Sequence, residues 1–351
     1  MNQSPISVAI CSFGMSGKLF HAPFIHVNPG FKLYACWERS KKLVNEIYPE
    51  VISWDDYDAM LADPLVELVI VNTPNATHFD YAKRALEAGK HVVVEKPFVI
   101  SVEEGNALIE LAKQKQKVLS VYHNRRNDSD FKTVRKILSE KLLGDIVEAE
   151  IHFDRYSLDL SPKKHKEVQG KGTGVLFDLG SHLIDEAVQL FGKPNAVFAD
   201  IRTVRKVSVI DDYFELLLYY NDKRVRLHST YIAKEPSIGY VVHGEFGSFI
   251  KPKTNGQEIA LLKGILPQGD DWGVEDDSDW GLLHAIENGA AIRKKIPSEK
   301  GNYMDYFDGI YQAIRGNATV PVTAKDGLLV IKIIEAAFES SAEKKVINLS
   351  L

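Results

Sequence analysis

Three residues of this chain have side chains suited to moving a proton at a substrate oxygen. Lys96 carries a cation that would stabilise negative charge developing on an oxygen atom. His182 carries an imidazole whose pKa normally lies near neutrality, as a proton acceptor requires. Asp178 stands four residues before His182, so on one helix the two side chains face the same side. Together these residue types suit the oxidation of a secondary alcohol, in which the hydroxyl loses its proton while hydride leaves the carbon.

The same residues also have simpler interpretations. Lys96 would form an ordinary surface ion pair with Glu95 if that dipeptide stood alone, and Asp178 would cap a helix in which His182 is buried. Asp178 and His182 can also ligate zinc, but no cysteine or histidine at a recognised ligand spacing completes such a set. We therefore expect no metal at this pair.

A glycine-containing turn near the N-terminus predicts a site for a dinucleotide pyrophosphate. It follows a β-rich run at 6–10 and precedes a helical stretch that starts at Lys18. Gly14 and Gly17 occupy the second and third positions of the dinucleotide fingerprint, and Ser12 stands at the first position in place of glycine. A glycine turn in an unrelated α/β protein is the alternative. The predicted phosphate-binding residues are Ser12, Phe13, Gly14, Met15, Ser16 and Gly17.

The residues after the second predicted strand bear on the choice between NAD and NADP. Glu38 stands where a carboxylate would bind the adenine-ribose hydroxyls of NAD and repel the phosphate of NADP. Arg39 and Ser40 favour NADP, because a guanidinium beside a hydroxyl forms a good clamp for a monophosphate. The alternative for Glu38 and Arg39 is a solvent-exposed pair. We expect NAD or NADP as cofactor, with NADP slightly favoured.

Alternating strands and helices in the first third of the chain predict a parallel sheet wound on both faces. The predicted strands are 6–10, 32–37, 66–71, 91–94 and 118–122, with helices that include 77–88 and 102–114. Ligands of such sheets bind at the carboxyl ends of the strands. Further candidate residues at those ends, for cofactor or substrate, are Thr73, Pro74, Asn75, His78, Glu95, Asn124 and Arg125.

The pattern changes after about residue 124 to longer strands with partial alternation. Strands are predicted at 147–156, 196–205, 213–220, 224–232 and 240–250, with a hairpin turn at 220–223 and a long loop at 251–277. Helices at 130–141, 178–191, 302–315 and 324–341 would cover one face of the sheet. The predicted fold class is α/β. An N-terminal Rossmann domain, 1–123, would bind NAD(P), and a C-terminal α+β domain with a mainly antiparallel open sheet, 124–351, would bind substrate and oligomerise.

The uncovered face of this second sheet predicts self-association. Phe214, Leu216 and Leu218 alternate along one strand, and an apolar face is seldom left in water. The alternative is that these residues face the covering helices. We expect a homodimer or a homotetramer.

Length and composition restrict the class of protein. A chain of 351 residues is expected to form two domains with a cleft, and a net charge of -5 argues against a nucleic-acid surface. Cys11 and Cys36 lie in apolar runs without the spacing of a secreted disulfide scaffold. The N-terminus lacks a signal-peptide pattern, and no segment has about 18 consecutive apolar residues. We expect a cytoplasmic protein with a small-molecule partner and no membrane partner.

Three ordered motifs resemble the Gfo/Idh/MocA family, named for glucose–fructose oxidoreductase, inositol dehydrogenase and a rhizopine-catabolism oxidoreductase. They lie at 73–78, 88–97 and 172–185, and the likeness spans nearly the whole chain. Further segments are similar to a subgroup that includes NADP-linked scyllo-inositol dehydrogenases. They are 20–23, 123–126 and 243–249.

The resemblance implies an NAD(P)-dependent enzyme that transfers hydride to or from a sugar, cyclitol or related polyol. It implies that Lys96 contacts the reacting oxygen, His182 is the general acid/base and Asp178 orients the substrate. Asn124, Arg125 and Tyr156 are further candidates for substrate contact. Two other functions stay open: a non-catalytic NAD(P)-binding sensor, and a reductase of an imine or of a different carbonyl.

Overall fold

The computed structural model describes residues 4–39, 41–163 and 166–351, and the chain divides into two compact units. The first unit contains Met1–Asn124, Gln257–Trp272 and Asn302–Leu328, and the second contains Arg125–Gly256, Gly273–Gly301 and Leu329–Leu351. In chain order, the helices are α1 (Ala22–Val27), α2 (Tyr57–Ala62), α3 (His78–Glu87), α4 (Val102–Lys115), α5 (Ser129–Ser139), α6 (Ser181–Phe191), α7 (Gly256–Leu262), α8 (Met304–Ile314) and α9 (Ala324–Glu343). Wide π-type turns, Gly17–His21 and Leu176–Gly180, lead into α1 and α6.

The first unit is built on a six-stranded parallel sheet, as predicted. Its spatial order is β3-β2-β1-β4-β5-β6, so neighbouring strands are joined by crossovers that carry helices. The strands are β1 (Ile6–Ile10), β2 (Phe31–Trp37), β3 (Ile52–Trp54), β4 (Leu68–Val71), β5 (His91–Glu95) and β6 (Leu119–Tyr122). Every residue of β4 and β6 is buried, which is why these strands read as continuous apolar runs. The sequence missed β3, an edge strand of three residues with no buried position.

A segment from the C-terminal part of the chain completes the first unit. Asn28 donates to Asp308 at 2.7 Å, and the hydroxyls of Ser120 and Tyr306 lie 2.7 Å apart, which fixes α8 to this unit. Phe307 also stacks on Phe24, with ring centroids 5.5 Å apart. The prediction that the helix at 302–315 covers the second sheet is therefore wrong. Periodicity shows that a helix has an apolar face, but it does not show which sheet that face meets.

The second unit is built on a nine-stranded sheet in the order β14-β13-β12-β11-β7-β10-β9-β8-β15. Its strand pairs are antiparallel except for β7 with β10, so the predicted mainly antiparallel sheet is confirmed. The strands are β7 (Ile146–His152), β8 (Ala196–Arg202), β9 (Tyr213–Tyr219), β10 (Arg224–Thr230), β11 (Tyr240–Gly244), β12 (Gly247–Lys251), β13 (Gly281–Glu287), β14 (Ala290–Ile296) and β15 (Ile347–Asn348).

Several boundaries in this unit differ from the prediction. The strand predicted at 240–250 is a hairpin of β11 and β12, and a Cβ at Gly247 would lie 2.5 Å from that of Ala285, so glycine permits the turn beside β13. The long loop predicted at 251–277 contains α7, which belongs to the first unit except for Gly256. The sequence did not predict β13 or β14. The strand β14 has no buried residue and carries Arg and Lys, so no apolar run marks it.

The two faces of the second sheet have different chemistry. Phe214, Leu216 and Leu218 are fully buried, and the ring of Phe214 lies against Gly180 in the π-type turn before α6. These residues therefore face the covering helix, the alternative left open by the sequence, and they give no support to self-association. Intervening residues such as Tyr213 and Glu215 are partly exposed on the opposite, polar face.

The cysteines and the lengths of the helices are the last features of the fold. Cys11 and Cys36 are both free and buried. Among the described residues, no helix combines the length and the apolar character needed to cross a bilayer.

The face assignment in β9 predicts a difference between two neighbouring leucines. Leu216→Ala should lower the free energy of unfolding by about 2–5 kcal/mol, because it leaves a cavity under the helix. Leu217→Ala should cost about 1 kcal/mol or less, because its side chain lies on the polar face and is partly exposed. Urea unfolding followed by circular dichroism measures both. Equal losses for the two variants would contradict the assignment.

Candidate functional site

The glycine turn after β1 is closed by its own serine. The Ser12 hydroxyl oxygen accepts a hydrogen bond from the Gly14 amide at 3.1 Å, and the Gly14 carbonyl accepts from the Lys18 amide at 2.9 Å. Ser12 therefore supplies a local hydrogen bond at the position where the fingerprint has glycine. The chain then becomes helical at Met15 and passes through the π-type turn into α1, so the predicted helix is present but begins with an irregular turn.

Gly17 is required by the close approach of this turn to the sheet. A Cβ at Gly17 would lie 2.1 Å from the Ser12 carbonyl oxygen and 2.9 Å from the Asn72 amide nitrogen. Asn72, at the end of β4, donates to that same carbonyl at 2.8 Å, while its own Oδ1 is buried without a hydrogen-bond partner among the described residues. The cradle is thus narrow, is held from the neighbouring strand, and contains one polar atom that lacks a partner.

A cavity of about 400 Å³ lies at the carboxyl ends of β1, β2 and β4. This is the edge at which parallel α/β sheets bind their ligands, and the size is that of a small-molecule site. Its lining combines the glycine turn with aromatic, polar and cationic side chains: Cys11, Ser12, Phe13, Gly14, Trp37, Glu38, Arg39, Lys41, Leu43, Thr73, Pro74, Thr77 and Tyr81. Seven of the predicted cofactor residues lie on this surface: Ser12, Phe13, Gly14, Glu38, Arg39, Thr73 and Pro74.

Glu38 is already engaged by the backbone. Its two carboxylate oxygens accept hydrogen bonds from the amides of Leu43 and Val44 at 3.0 and 3.1 Å, which caps the 3₁₀ turn that follows. Arg39 and Lys41 are exposed and line the same cavity. The negative charge of Glu38 is therefore partly satisfied within the protein, while two cations stand at the cavity wall. Ser40 lies outside the described residues.

His78 braces the backbone between two strands. It is fully buried, and its ring nitrogens lie 2.9 Å from the carbonyl oxygens of Thr73 and Pro97. Burial lowers the pKa of this imidazole, although the two carbonyls oppose the shift. The structure thus favours a packing role for His78, next to the segment that carries Lys96. Asn75 opens the short 3₁₀ turn before α3 and is partly exposed.

Glu95, the last residue of β5, joins the glycine turn to the segment that carries Lys96. Its Oε1 accepts from the Ser16 hydroxyl at 2.6 Å and lies 2.8 Å from Nε2 of His21, and its Oε2 accepts from the Lys96 amide at 3.2 Å. Burial would raise the pKa of the Glu95 carboxyl, but His21, Ser16 and Lys96 outweigh burial and lower the pKa to about 2. The carboxylate therefore stays charged and holds three segments together.

Lys96 follows β5 directly, at the carboxyl edge of the sheet, and is not among the residues that line the cavity. It is half-buried, and the peptide that links it to Pro97 is cis. His21, which holds Glu95 from the other side, is fully buried and lies against the Tyr122 ring with centroids 4.6 Å apart. The position of Lys96 is thus fixed by β5, by the Glu95 network and by the His78 brace.

The second unit fixes the helix that carries Asp178 and His182. Gly172 and Gly174 both have positive φ, and a Cβ at Gly174 would lie 1.8 Å from a carboxylate oxygen of Asp211. That carboxylate accepts from the Leu176 amide at 2.9 Å and so caps the start of the helical segment. Burial raises the pKa of the Asp211 carboxyl to about 6.

Asp178 and His182 belong to one continuous helical segment, as predicted, but Asp178 lies in its π-type turn. Lys166 donates to Asp178 Oδ2 at 3.0 Å, so the carboxylate is paired with a cation from a preceding loop. His182, in the first turn of α6, is 5% exposed. These two predicted site residues lie in the second unit, whereas Lys96 lies in the first.

The remaining predicted substrate residues fall in three environments. Asn124 is buried and ends the first segment of the first unit. Arg125 is buried in the second unit, where it donates to Asp128 at 3.0 Å and lies over the Phe153 ring. Tyr156 is 51% exposed and lies beyond β7, which ends at His152 rather than continuing to Tyr156 as predicted. It forms an isolated bridge with Ile232.

Several residues near the site escaped sequence reasoning. His21 and Asp211 contact residues 74 and 35 positions away in sequence, and Lys166 contacts a residue 12 positions away. No local spacing therefore identifies them as site residues. Trp37 and Tyr81 line the cavity, with ring centroids 4.9 Å apart. Trp37, at the end of β2 and next to Glu38, is the feature of the sequence that could have indicated this part of the cavity wall.

Comparisons with known proteins give the chain a family. The model described as "Oxidoreductase family, NAD-binding Rossmann fold" matches residues 6–123, and "Oxidoreductase family, C-terminal alpha/beta domain" matches residues 135–349. Both are models of the Gfo/Idh/MocA family. Together they cover most of the chain, and they confirm the resemblance seen in its motifs.

Whole-chain relatives agree with these matches. The scyllo-inositol 2-dehydrogenase (NADP(+)) IolW of Bacillus subtilis is 39% identical, over 98% of this chain and 96% of its own. Among solved structures, yvaA of Bacillus subtilis has a TM-score of 0.96 at 38% identity and covers 100% of both chains. An oxidoreductase from Bacillus cereus has a TM-score of 0.91 at 31% identity and covers 99% of both. The chain therefore belongs to the Gfo/Idh/MocA family and is an oxidoreductase with an NAD-binding Rossmann fold.

Proposed function

We propose that this protein transfers hydride between NADP, or less readily NAD, and a secondary alcohol of a cyclitol or sugar. The observation that carries the proposal is the Glu95 carboxylate, which binds both Ser16 of the glycine turn and the Lys96 amide. A cofactor cradle and a cationic side chain are thereby held on one rigid frame. The names of relatives, including a scyllo-inositol 2-dehydrogenase and a D-glucoside 3-dehydrogenase, support the substrate class.

The residues present fit a nicotinamide dinucleotide. Gly17 leaves the backbone open where a side chain would collide, the helical N-terminus at Met15 and Ser16 presents amides, and the cavity adjoins both. The turn would hold the pyrophosphate, and the wall with Trp37, Arg39 and Tyr81 would hold the adenosine half. When bound, the dinucleotide supplies the hydride acceptor or donor.

The preference for NADP is supported by the charges at the cavity wall. Glu38 uses both of its oxygens on backbone amides, whereas Arg39 and Lys41 line the cavity as exposed cations. A 2′-phosphate there would meet positive charge rather than an uncommitted carboxylate. Since Glu38 also lines the cavity, NAD remains the competing cofactor.

The proposed chemistry divides between two side chains. Lys96 would donate a hydrogen bond to the substrate oxygen and stabilise alkoxide charge during oxidation. His182 would accept the hydroxyl proton, and Asp178, together with Lys166, would bind neighbouring hydroxyls. Asn124 and Arg125 are proposed as further substrate contacts, and Tyr156 as a peripheral one. The assignment of the two functions to 1–123 and 124–351 is part of the same proposal.

We also propose that the protein self-associates and that it occupies a reducing compartment. Self-association as a homodimer or homotetramer would now have to use the polar face of the second sheet or another surface, because Phe214, Leu216 and Leu218 are buried within their own unit. A reducing compartment such as the cytoplasm is consistent with two free, buried cysteines.

Removal of the proposed cation should abolish most turnover. Lys96→Ala should lower kcat by about 10²-fold or more, because the developing alkoxide loses a charged donor. The assay follows reduced-cofactor absorbance with NADP or NAD and a panel of inositols and aldoses. Lys83→Ala is the control, since this exposed lysine of α3 pairs with Glu87 on the helix surface.

The possible results separate the interpretations. Wild-type turnover in Lys96→Ala would remove the proposed role of Lys96. Cofactor binding by the wild-type protein without turnover on any substrate of the panel would instead favour the non-catalytic sensor.

The cofactor proposal predicts a selective effect at Arg39. Arg39→Ala should raise the KM for NADP about tenfold or more, because a charge-assisted hydrogen bond is lost, and should change the KM for NAD little. Lys42→Ala provides a matched control, as this exposed lysine is absent from the cavity lining. Equal changes in the two KM values would show that Arg39 does not bind the 2′-phosphate.

The Glu95 network predicts a pH-dependent contribution to stability. The folded-state pKa of about 2 lies below the ordinary value of 4.5, so the ionised carboxylate stabilises the fold above pH 4.5, and this is lost as pH falls through about 2. Glu95→Gln should therefore cost on the order of 3 kcal/mol at pH 7 and less at pH 3.5. Denaturant unfolding at both pH values measures the difference. A cost that does not change with pH, or an equal cost in the surface control Glu87→Gln, would count against the network.

A further inference from the structure

Two histidines and an aspartate meet on the polar face of the second sheet, remote in sequence from Lys96 and on different elements from Asp178 and His182. His152 is the last residue of β7, and His228 pairs directly opposite it on β10. Asp154 follows two residues after β7. One ligand atom from each of the three residues lies within 4.8 Å of the others. Imidazole nitrogen and carboxylate oxygen are donors that zinc and related divalent ions accept.

Each histidine is oriented by a carboxylate through one ring nitrogen. Asp154 Oδ1 lies 3.1 Å from Nδ1 of His228, and Glu150 Oε2 lies 2.9 Å from Nε2 of His152. For His152 this leaves Nδ1 as the nitrogen that faces away from its carboxylate, whereas Nδ1 of His228 and Oδ1 of Asp154 face each other and would bind the same ion. The pair of Glu150 and His152 has the pattern of metal-binding histidines, in which a carboxylate on one nitrogen fixes the ring and makes the other nitrogen a better donor.

A second observation concerns the other ring nitrogen of His152. Nδ1 of His152 is buried and has no hydrogen-bond partner among the described residues. A buried polar atom without a partner costs free energy, so such atoms normally bind a protein group, a water or an ion. Here the atom belongs to a side chain whose neighbour is a second histidine, with ring centroids 5.5 Å apart.

The donors are held in place before any ion binds. Asp154 is nearly fully buried, and the amides of Thr230 and Ser237 donate to its two oxygens at 3.3 and 3.1 Å. The Tyr213 ring meets the His228 ring edge-on, with centroids 5.3 Å apart. Preorganised side chains lose little conformational freedom on binding, which favours a specific site over a transient contact.

The local charge does not oppose a cation. Arg226 is the nearby positive group on β10, and it is already paired with Glu150 at 2.6 Å and with Glu215 at 3.1 Å. Asp154 and these two glutamates place three carboxylates beside Arg226 and beside Arg202, which lies 5.6 Å from the centroid of the Tyr213 ring. A divalent ion would be attracted here, and the partial exposure of the two histidine side chains leaves room for water to complete its coordination.

We propose that His152, Asp154 and His228 form a site for a divalent transition-metal ion, with Zn²⁺ as the reference ion. The site is separate from the proposed catalytic residues and does not depend on the proposed function. The ion clamps the end of β7 to β10 and so stabilises the second unit. The sequence offers no indication of this site, because the metal prediction rested on the spacing of Asp178 and His182. His152, Asp154 and His228 come together only when two parallel strands bring residues 152 and 228 side by side.

The test is a direct measurement of metal binding. The full-length protein is freed of metal with a chelator, dialysed, and titrated with ZnCl₂ by isothermal calorimetry. We expect one site per chain, and His152→Ala and His228→Ala should each weaken its affinity at least about tenfold. His284→Ala is the matched control, because this exposed histidine lies on β13 of the same sheet. Its affinity should equal that of the wild-type protein.

Two further measurements guard against variants that fail to fold. Zn²⁺ should raise the Tm of the wild-type protein and of His284→Ala, but not that of His228→Gln, whose metal-free circular dichroism spectrum reports its fold. In the wild-type protein, Zn²⁺ should protect His152 and His228 from diethyl pyrocarbonate, as mapped by mass spectrometry. The proposal is overturned if the wild-type protein binds no Zn²⁺, if other histidines are protected instead, or if the two alanine variants retain full affinity.

Discussion

The site depends on one buried carboxylate. Glu95 accepts hydrogen bonds from Ser16 and from the Lys96 amide, and His21 lies within 2.8 Å of it. A charge in this position would be costly without partners, and with them it stays ionised and fixes the geometry around it. Because the three partners come from the glycine turn, the helix after it and the end of β5, the glycine turn and Lys96 cannot move independently.

The other contacts of the first unit reinforce this constraint. Asn72 and Gly17 set how closely the glycine turn approaches the sheet, and His78 ties β4 to the Lys96–Pro97 segment from the opposite side. All of these groups are backbone-directed or buried, so their function is to position rather than to react. Arg39 and Lys41 are exposed cations at this edge, and the proposed function assigns them the recognition of a charged ligand.

In the second unit, another buried carboxylate, that of Asp211, fixes a segment that carries predicted site residues. Asp211 caps the helical segment of Asp178 and His182, and only glycine at position 174 leaves room for its carboxylate. The nine-stranded sheet below this helix has an apolar face that the helix covers and a polar face that carries paired charges and histidines. One face of this sheet therefore supports the helix that carries the proposed substrate residues, and the other face carries the histidines of the proposed metal site.

The sequence by itself determined the elements whose signal is local. Continuous apolar runs identified five strands of the parallel sheet, glycines identified the turn after β1, and ordered motifs identified the family. Spacing also placed Asp178 and His182 on one helical segment, because their separation is short and the periodicity is regular.

Only the tertiary structure decided matters that depend on residues distant in the chain. It assigned α8 to the first unit, directed Phe214 towards its own covering helix, committed Glu38 to backbone amides, and brought His152 beside His228. It also revealed β3 and β14, which lack the buried apolar residues that make a strand visible. The physical reason is common to all of them: a side chain's type shows which contacts it can make, and the fold determines which partner is within reach.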